Sequence, residues 1–246
     1  MRNPVPTRLT MSLIALPLLA SSALAWTPTL DQPTAKTVID TAFQRPVEGA
    51  KPTYQTVNLA VENGAFKTPG GVNQFAGEAS CLSGWLAAPQ DYAEGSRMLS
   101  VTASGQADVL QQQAAKAYVD WNNLRPEDAL TEEARAQRAR LIADNQLRVD
   151  IKVTGAASEQ TRRAYRVRLQ TGENTFVNPA RQSYVADWKQ SADGLWSGTV
   201  VYYFDASPAE GQTGLRFDPN GKVNVQFYNE KSQCGYSVPL DLGSFY

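Results

Sequence analysis

The sequence predicts an α+β fold dominated by an antiparallel β-sheet, meander or sandwich-like, with two amphipathic helices in the middle of the chain. Three observations carry this. After Asn145 the apolar residues recur every second position, first Leu147, Val149, Ile151 and Val153, then Tyr165, Val167 and Leu169, which is the period of half-buried strands. Before it, Leu110, Ala114, Tyr118 and Trp121 recur at helical spacing opposite Gln111, Gln112 and Lys116, the pattern of an amphipathic helix. Finally, the run from Gly194 to Asp205 is apolar on both alternating faces, with Trp196, Val200, Tyr202 and Phe204 on one and Leu195, Thr199, Val201 and Tyr203 on the other. A strand of that kind is expected to be central and covered on both sides.

The chain opens with Arg2 and Arg8, an apolar run from Leu13 to Ala20, and the small-x-small sequence Ala23-Leu24-Ala25. That order is a secretory signal peptide over residues 1–25, cut after Ala25; its apolar run is too short to span a bilayer. The expected location is secreted or periplasmic, in or near the cell envelope, with no transmembrane helix in the mature chain. Residues 26–52 hold Pro28, Pro33, Pro46 and Pro52 and read as an arm with a short helix from Pro33 to Phe43, proline being tolerated in a first turn. Residues 53–246 are expected to form one α+β domain.

Within that domain, Tyr54 to Val61 alternates as a strand, and Glu62-Asn63-Gly64 is a hairpin-type turn leading to Phe66. Gly70, Gly71, Gly77, Gly84, Gly95, Pro69 and Pro89 make residues 68–95 a loop-rich region. Arg97 to Thr102 is a short strand. After the first helix, Thr131 is an N-cap and Glu132 and Glu133 suit the first turn of a second helix, which has Leu130, Ala134, Leu141 and Ile142 to bury. The two alternating runs after Asn145 are expected to pair as a hairpin whose wet face carries Arg148, Asp150, Lys152, Arg166, Arg168 and Gln170. Thr171 to Asp193 is irregular and aromatic. Asp218-Pro219-Asn220-Gly221 turns Gly214–Phe217 back into Lys222–Tyr228, and Gly235–Leu240 is the last strand.

The two cysteines, Cys81 and Cys234, belong to a chain sent to an oxidising compartment and are expected to form a disulfide. Histidine is absent. That removes Ser-His-Asp and Cys-His catalysis, zinc-peptidase motifs and histidine-ligated iron or copper. No Ser-x-x-Lys, phosphate-binding glycine loop, dinucleotide-binding glycine turn or calcium loop is present, and no cofactor is expected.

Four features remain as candidates. Between residues 131 and 170 the basic residues Arg135, Arg138, Arg140, Arg148, Lys152, Arg162, Arg163, Arg166 and Arg168 outnumber Glu132, Glu133, Asp144, Asp150 and Glu159, although the whole chain has a formal net charge of −1. On the expected hairpin, Arg148, Lys152, Arg166 and Arg168 would share one face suited to an anionic envelope polymer or a lipid head group. Tyr184 and Trp188, outside the central strand, are the aromatic residues best placed to bind a ligand such as a sugar. Glu173, Asp187, Asp193 and Asp205 flank the aromatic cluster, and glycan cleavage needs two such acids. Tyr236, Val238, Leu240 and Leu242 alternate toward Tyr246 in a weak echo of an outer-membrane barrel strand. The function expected is that of an exported, non-catalytic envelope or extracellular protein that binds a polymer, lipid or protein partner and not nucleic acid. The alternatives are a carboxylate-dependent glycan hydrolase and a structural or assembly component of the cell envelope.

Overall fold

The computed structural model describes residues 25–246; the signal peptide expected over residues 1–25 lies, but for Ala25, outside the described residues. The elements in chain order are α1 (Gln32–Ala42), β1 (Tyr54–Asn58), β2 (Val61–Glu62), β3 (Ala65–Phe66), β4 (Asn73–Ala76), α2 (Ser80–Ala87), β5 (Arg97–Ser104), α3 (Gln106–Val119), α4 (Pro126–Ala129), α5 (Glu132–Ala139), β6 (Gln146–Ala156), β7 (Arg166–Gly172), β8 (Thr175–Val177), β9 (Arg181–Tyr184), β10 (Lys189–Gln190), β11 (Trp196–Asp205), β12 (Lys222–Tyr228) and β13 (Gly235–Asp241). Short 3-10 turns occupy Glu159–Ala164 and Leu242–Ser244.

Every strand pair among the described residues is antiparallel. The first sheet runs β1-β5-β6-β11-β10, with β9 also on β11; the second runs β4-β13-β12-β7-β8; β2 and β3 form a separate ribbon at the Asn63-Gly64 turn. Val101, Val149, Ile151, Val200 and Phe204 of the first sheet join Val167, Leu169, Val225, Phe227, Val238 and Leu240 of the second in one buried cluster, so the sheets pack face to face as a sandwich. On the other side of the first sheet, Val109 of α3 and Ile142 cover Val201 and Tyr203. β11 is therefore buried on both faces, as its two-sided apolar pattern requires. In turn α1 packs on α3 through Ala35, Val38 and Ile39 against Ala107, Leu110 and Ala114, with Tyr246 in the same cluster.

The disulfide Cys81–Cys234 is present and ties α2 to the residue before β13. Thr131 caps α5 by accepting a hydrogen bond from the Ala134 N–H. No helix among the described residues is long and apolar enough to cross a membrane.

Five expectations change. The two alternating runs after Asn145 are not a hairpin: β6 lies between β5 and β11, whereas β7 lies between β12 and β8 in the opposite sheet. A period of two specifies a buried face and is silent about the neighbouring strand, so the connection through Glu159–Ala164 can cross from one sheet to the other. Residues 68–95 contain β4 and α2 despite their glycines, because Trp85 and Cys81 anchor the helix in the core. The stripe on α3 ends early: the helix stops at Val119, Trp121 has φ +57 and is 96% exposed, and Tyr118 meets Phe43 edge-on. Gly214–Phe217 is not a strand, and Thr171–Asp193 contributes β8, β9 and β10.

Candidate functional site

The outer face of the second sheet presents a groove built on two arginines. Alternation along β7 points Arg166 and Arg168 away from the core, while Val167 and Leu169 point in. Antiparallel register then sets Tyr228 opposite Arg166 and Gln226 opposite Arg168. The Arg168 Nε–H donates to Gln226 Oε1 at 2.7 Å, and Gln226 Nε2 donates to Gln170 Oε1 at 3.0 Å. The Arg168 guanidinium carbon lies 3.9 Å from the centroid of Phe176 and 6.0 Å from that of Phe75, within cation–π range of both. Phe75 stands edge-on to Tyr228 at 5.1 Å.

Gly235 makes this packing possible, since a Cβ there would meet Phe75 at 2.8 Å and Tyr228 at 2.9 Å. The result is a concavity of about 270 Å³ lined by Arg166, Val167, Arg168, Asn178, Gln226 and Tyr228. Arg166 is exposed, and among the described residues neither arginine takes part in an ion pair, whereas Arg45, Arg125, Arg148 and Arg162 each hold a carboxylate. Two positive charges with rings and amides around them can receive a planar anion. Guanidinium nitrogens donate to it, and the ring faces accept the flat apolar part of whatever carries it.

The other residues singled out in the sequence lie elsewhere. Arg148 is on the outer face of the first sheet, where its Nε and Nη2 donate to both carboxylate oxygens of Asp150 at 2.7 Å. Its charge is thus already matched. Lys152 is exposed on the same strand, so the four cations expected on one face divide between two sheets. Burial raises the Asp150 carboxyl above its ordinary range despite the Arg148 guanidinium, and Asp108 of α3 is likewise raised by burial despite the hydrogen bond from Thr53.

Tyr184 and Trp188 are brought together, and Arg162 lies between them, 4.1 Å from the first ring and 5.5 Å from the second. Its Nη1 donates to Glu159 at 2.5 Å. Trp188 also lies on Gly198, where a Cβ would meet the indole at 2.4 Å, and its Nε1–H donates to the Thr199 carbonyl at 3.2 Å. Of the four carboxylates, Asp187 accepts from the Thr199 N–H and hydroxyl, Asp193 from the Ser191 hydroxyl and the Leu195 N–H, and Asp205 from the Ser207 N–H. Glu173 lies in the β7–β8 turn, and none of the four lines the arginine groove.

Sequence reasoning missed Phe75, Asn178, Gln226 and Tyr228. The alternation of Asn224, Gln226 and Tyr228 against Val223, Val225 and Phe227 carried a signal for an outward polar row. Nothing local linked Phe75 to it, since that ring arrives through the pairing of β4 with β13. No protein-family model matches the chain, and no significant match to it was found among curated proteins or solved structures.

Proposed function

We propose that this protein is an exported, non-catalytic binding protein of the cell envelope or extracellular space, and that its groove on the second sheet recognises an anionic polysaccharide. The observation that carries this reading is Arg168 over the rings of Phe176 and Phe75, next to Arg166 and Tyr228, with neither arginine ion-paired among the described residues. A uronic-acid polymer offers the matching parts: a carboxylate for the guanidinium fork and sugar faces for the rings. The chain as a whole is slightly acidic, so the attraction is local to the groove.

The test is a titration of polygalacturonate into the folded protein by calorimetry, repeated with the Arg166→Gln/Arg168→Gln variant. Each charge-assisted contact in a half-exposed site contributes about 1 to 1.5 kcal/mol. Their joint loss should weaken binding about 30- to 150-fold, and wild-type affinity should fall as salt rises. Equal binding by both proteins, or no binding by the wild type at low salt, would end the proposal.

A further inference from the structure

The helix α3 ends on a Schellman motif: the Asn122 N–H donates to the Ala117 carbonyl at 2.8 Å and the Trp121 N–H to the Tyr118 carbonyl at 3.2 Å. Trp121 holds the left-handed position of that motif, at φ +57. Glycine is the usual residue there, because a Cβ is crowded in this backbone region. The helix α1 closes in the same way on Gln44, a polar residue. At the end of α3 the position carries an indole instead, and leaves it 96% exposed. The other four tryptophans are buried or half-buried. Neither the left-handed backbone nor the exposure of a large ring stabilises the fold, so Trp121 carries a cost that glycine would avoid.

Around the indole is an open concavity of about 370 Å³ lined by Phe43, Tyr118, Val119, Trp121, Asn122 and Asn123. Phe43 and Tyr118 meet edge to face with centroids 5.6 Å apart, and Val119 is exposed beside them. Asn122 and Asn123 are exposed, and among the described residues no group bonds to either side-chain amide. Each amide therefore offers a donor and an acceptor side by side. No lining residue is charged, and the ions next to them in the chain are matched. Arg45 holds Asp40 at 2.8 Å, Lys116 holds Asp120 at 2.5 Å, and Arg125 holds Asp128 at 3.0 Å.

We infer that this concavity binds an uncharged, β-linked glucan chain, which stacks on Trp121 and meets the two asparagines with its hydroxyls. A pyranose with equatorial hydroxyls turns a flat C–H face to a ring and a polar rim to the amides, so it matches both kinds of wall. Exposed rings of this sort mark a binding surface, and the charge balance selects the occupant. A polyanion finds no free cation here, and docking on an anionic bilayer calls for unmatched Lys or Arg beside the rings. The concavity shares no residue with the arginine groove and takes a ligand of different charge, so the two stand or fall independently.

Titration of cellohexaose into the folded protein, followed at the Trp121 indole N–H resonance and by calorimetry, tests this. A saturable shift with a Kd of about 1 mM or tighter is expected, and it should not weaken as salt rises. Trp121→Gly should weaken binding at least about tenfold and melt no lower than wild type, because glycine suits the left-handed position. Arg166→Gln/Arg168→Gln should bind cellohexaose as wild type does, so failure at one site is told apart from failure at the other. An unmoved indole resonance, equal binding by Trp121→Gly, or a variant that melts well below wild type overturns the inference. So does an indole that ignores cellohexaose and instead mediates self-association in sedimentation or binding to phosphatidylglycerol vesicles. Should Trp121→Gly fail to fold, Asn122→Ala/Asn123→Ala decides: weaker cellohexaose binding at an unchanged melting temperature supports the site, and unchanged binding removes it.

Discussion

Removing the disulfide should destabilise the protein more than any other single surface or loop change. Cys81 and Cys234 are 153 positions apart, and both are buried. In the chain-entropy treatment a closed loop of this length restricts the unfolded chain by about 5 kcal/mol at 25 °C. A domain of this size loses about 2 to 4 °C of melting temperature per kcal/mol, so Cys81→Ala/Cys234→Ala should melt about 10 to 20 °C below the oxidised wild type. Calorimetric melts of both proteins measure this, and urea unfolding identifies the cause. If the bond acts on the unfolded chain, the variant's denatured state expands and its m-value rises along with the loss of stability. A variant melting within about 2 °C of a wild type shown by mass to be oxidised would refute the argument. It would mean that the unfolded chain is already as restricted without the bond as with it.

Two further outcomes follow from local geometry. Gly198→Ala places a methyl group 2.4 to 2.6 Å from the Trp188 indole, so the ring must leave its seat; the cost should be about 1 to 3 kcal/mol, with a red shift in tryptophan fluorescence. The pH dependence of stability should separate two aspartates. Burial raises the Asp108 carboxyl, so the folded state takes up its proton at higher pH than the unfolded state and this group adds stability as pH falls. Hydrogen bonds from Lys36 and Arg45 lower the Asp40 carboxyl, so its contribution is present above the unfolded value and is lost as pH falls through the folded one. Melts of Asp108→Asn and Asp40→Asn between pH 3 and 7 should therefore show the charge-dependent part of their difference from wild type with opposite signs near pH 7, shrinking toward zero from opposite sides on acidification.

Much of the fold was legible because its signals are local. The positions of β1, β5, β6, β7, β11, β12 and β13, the Asn63-Gly64 ribbon, the Thr131 cap and the two-sided burial of β11 follow from alternation, turn chemistry and capping, each settled within a few residues, whereas β4, β8, β9 and β10 were not foreseen. Strand partnership is not local. Leu147 and Val167 alternate alike, yet one faces the core from the first sheet and the other from the second. The same limit governs the groove. Arg166 and Arg168 were visible as outward cations, but Phe75 and Tyr228 join them through pairings with strands far along the chain. Arg148 looked equivalent to them and is matched instead by Asp150, two residues away on the same face. Trp121 was misplaced for a different reason: helical spacing counts it into the apolar stripe of α3, and gives no warning that the helix stops at Val119.

The seating of Trp26 has a consequence for biogenesis. Its ring stacks on Phe217 with centroids 5.5 Å apart, and its backbone N–H donates to the Leu242 carbonyl at 2.8 Å. At the other end, the Tyr246 N–H donates to the Pro52 carbonyl at 3.0 Å. Early-made segments thus wait for late-made ones, and β4 stays without its partner until β13 has emerged. If the chain is exported as proposed, these end-to-end contacts can close only after its last residues have crossed.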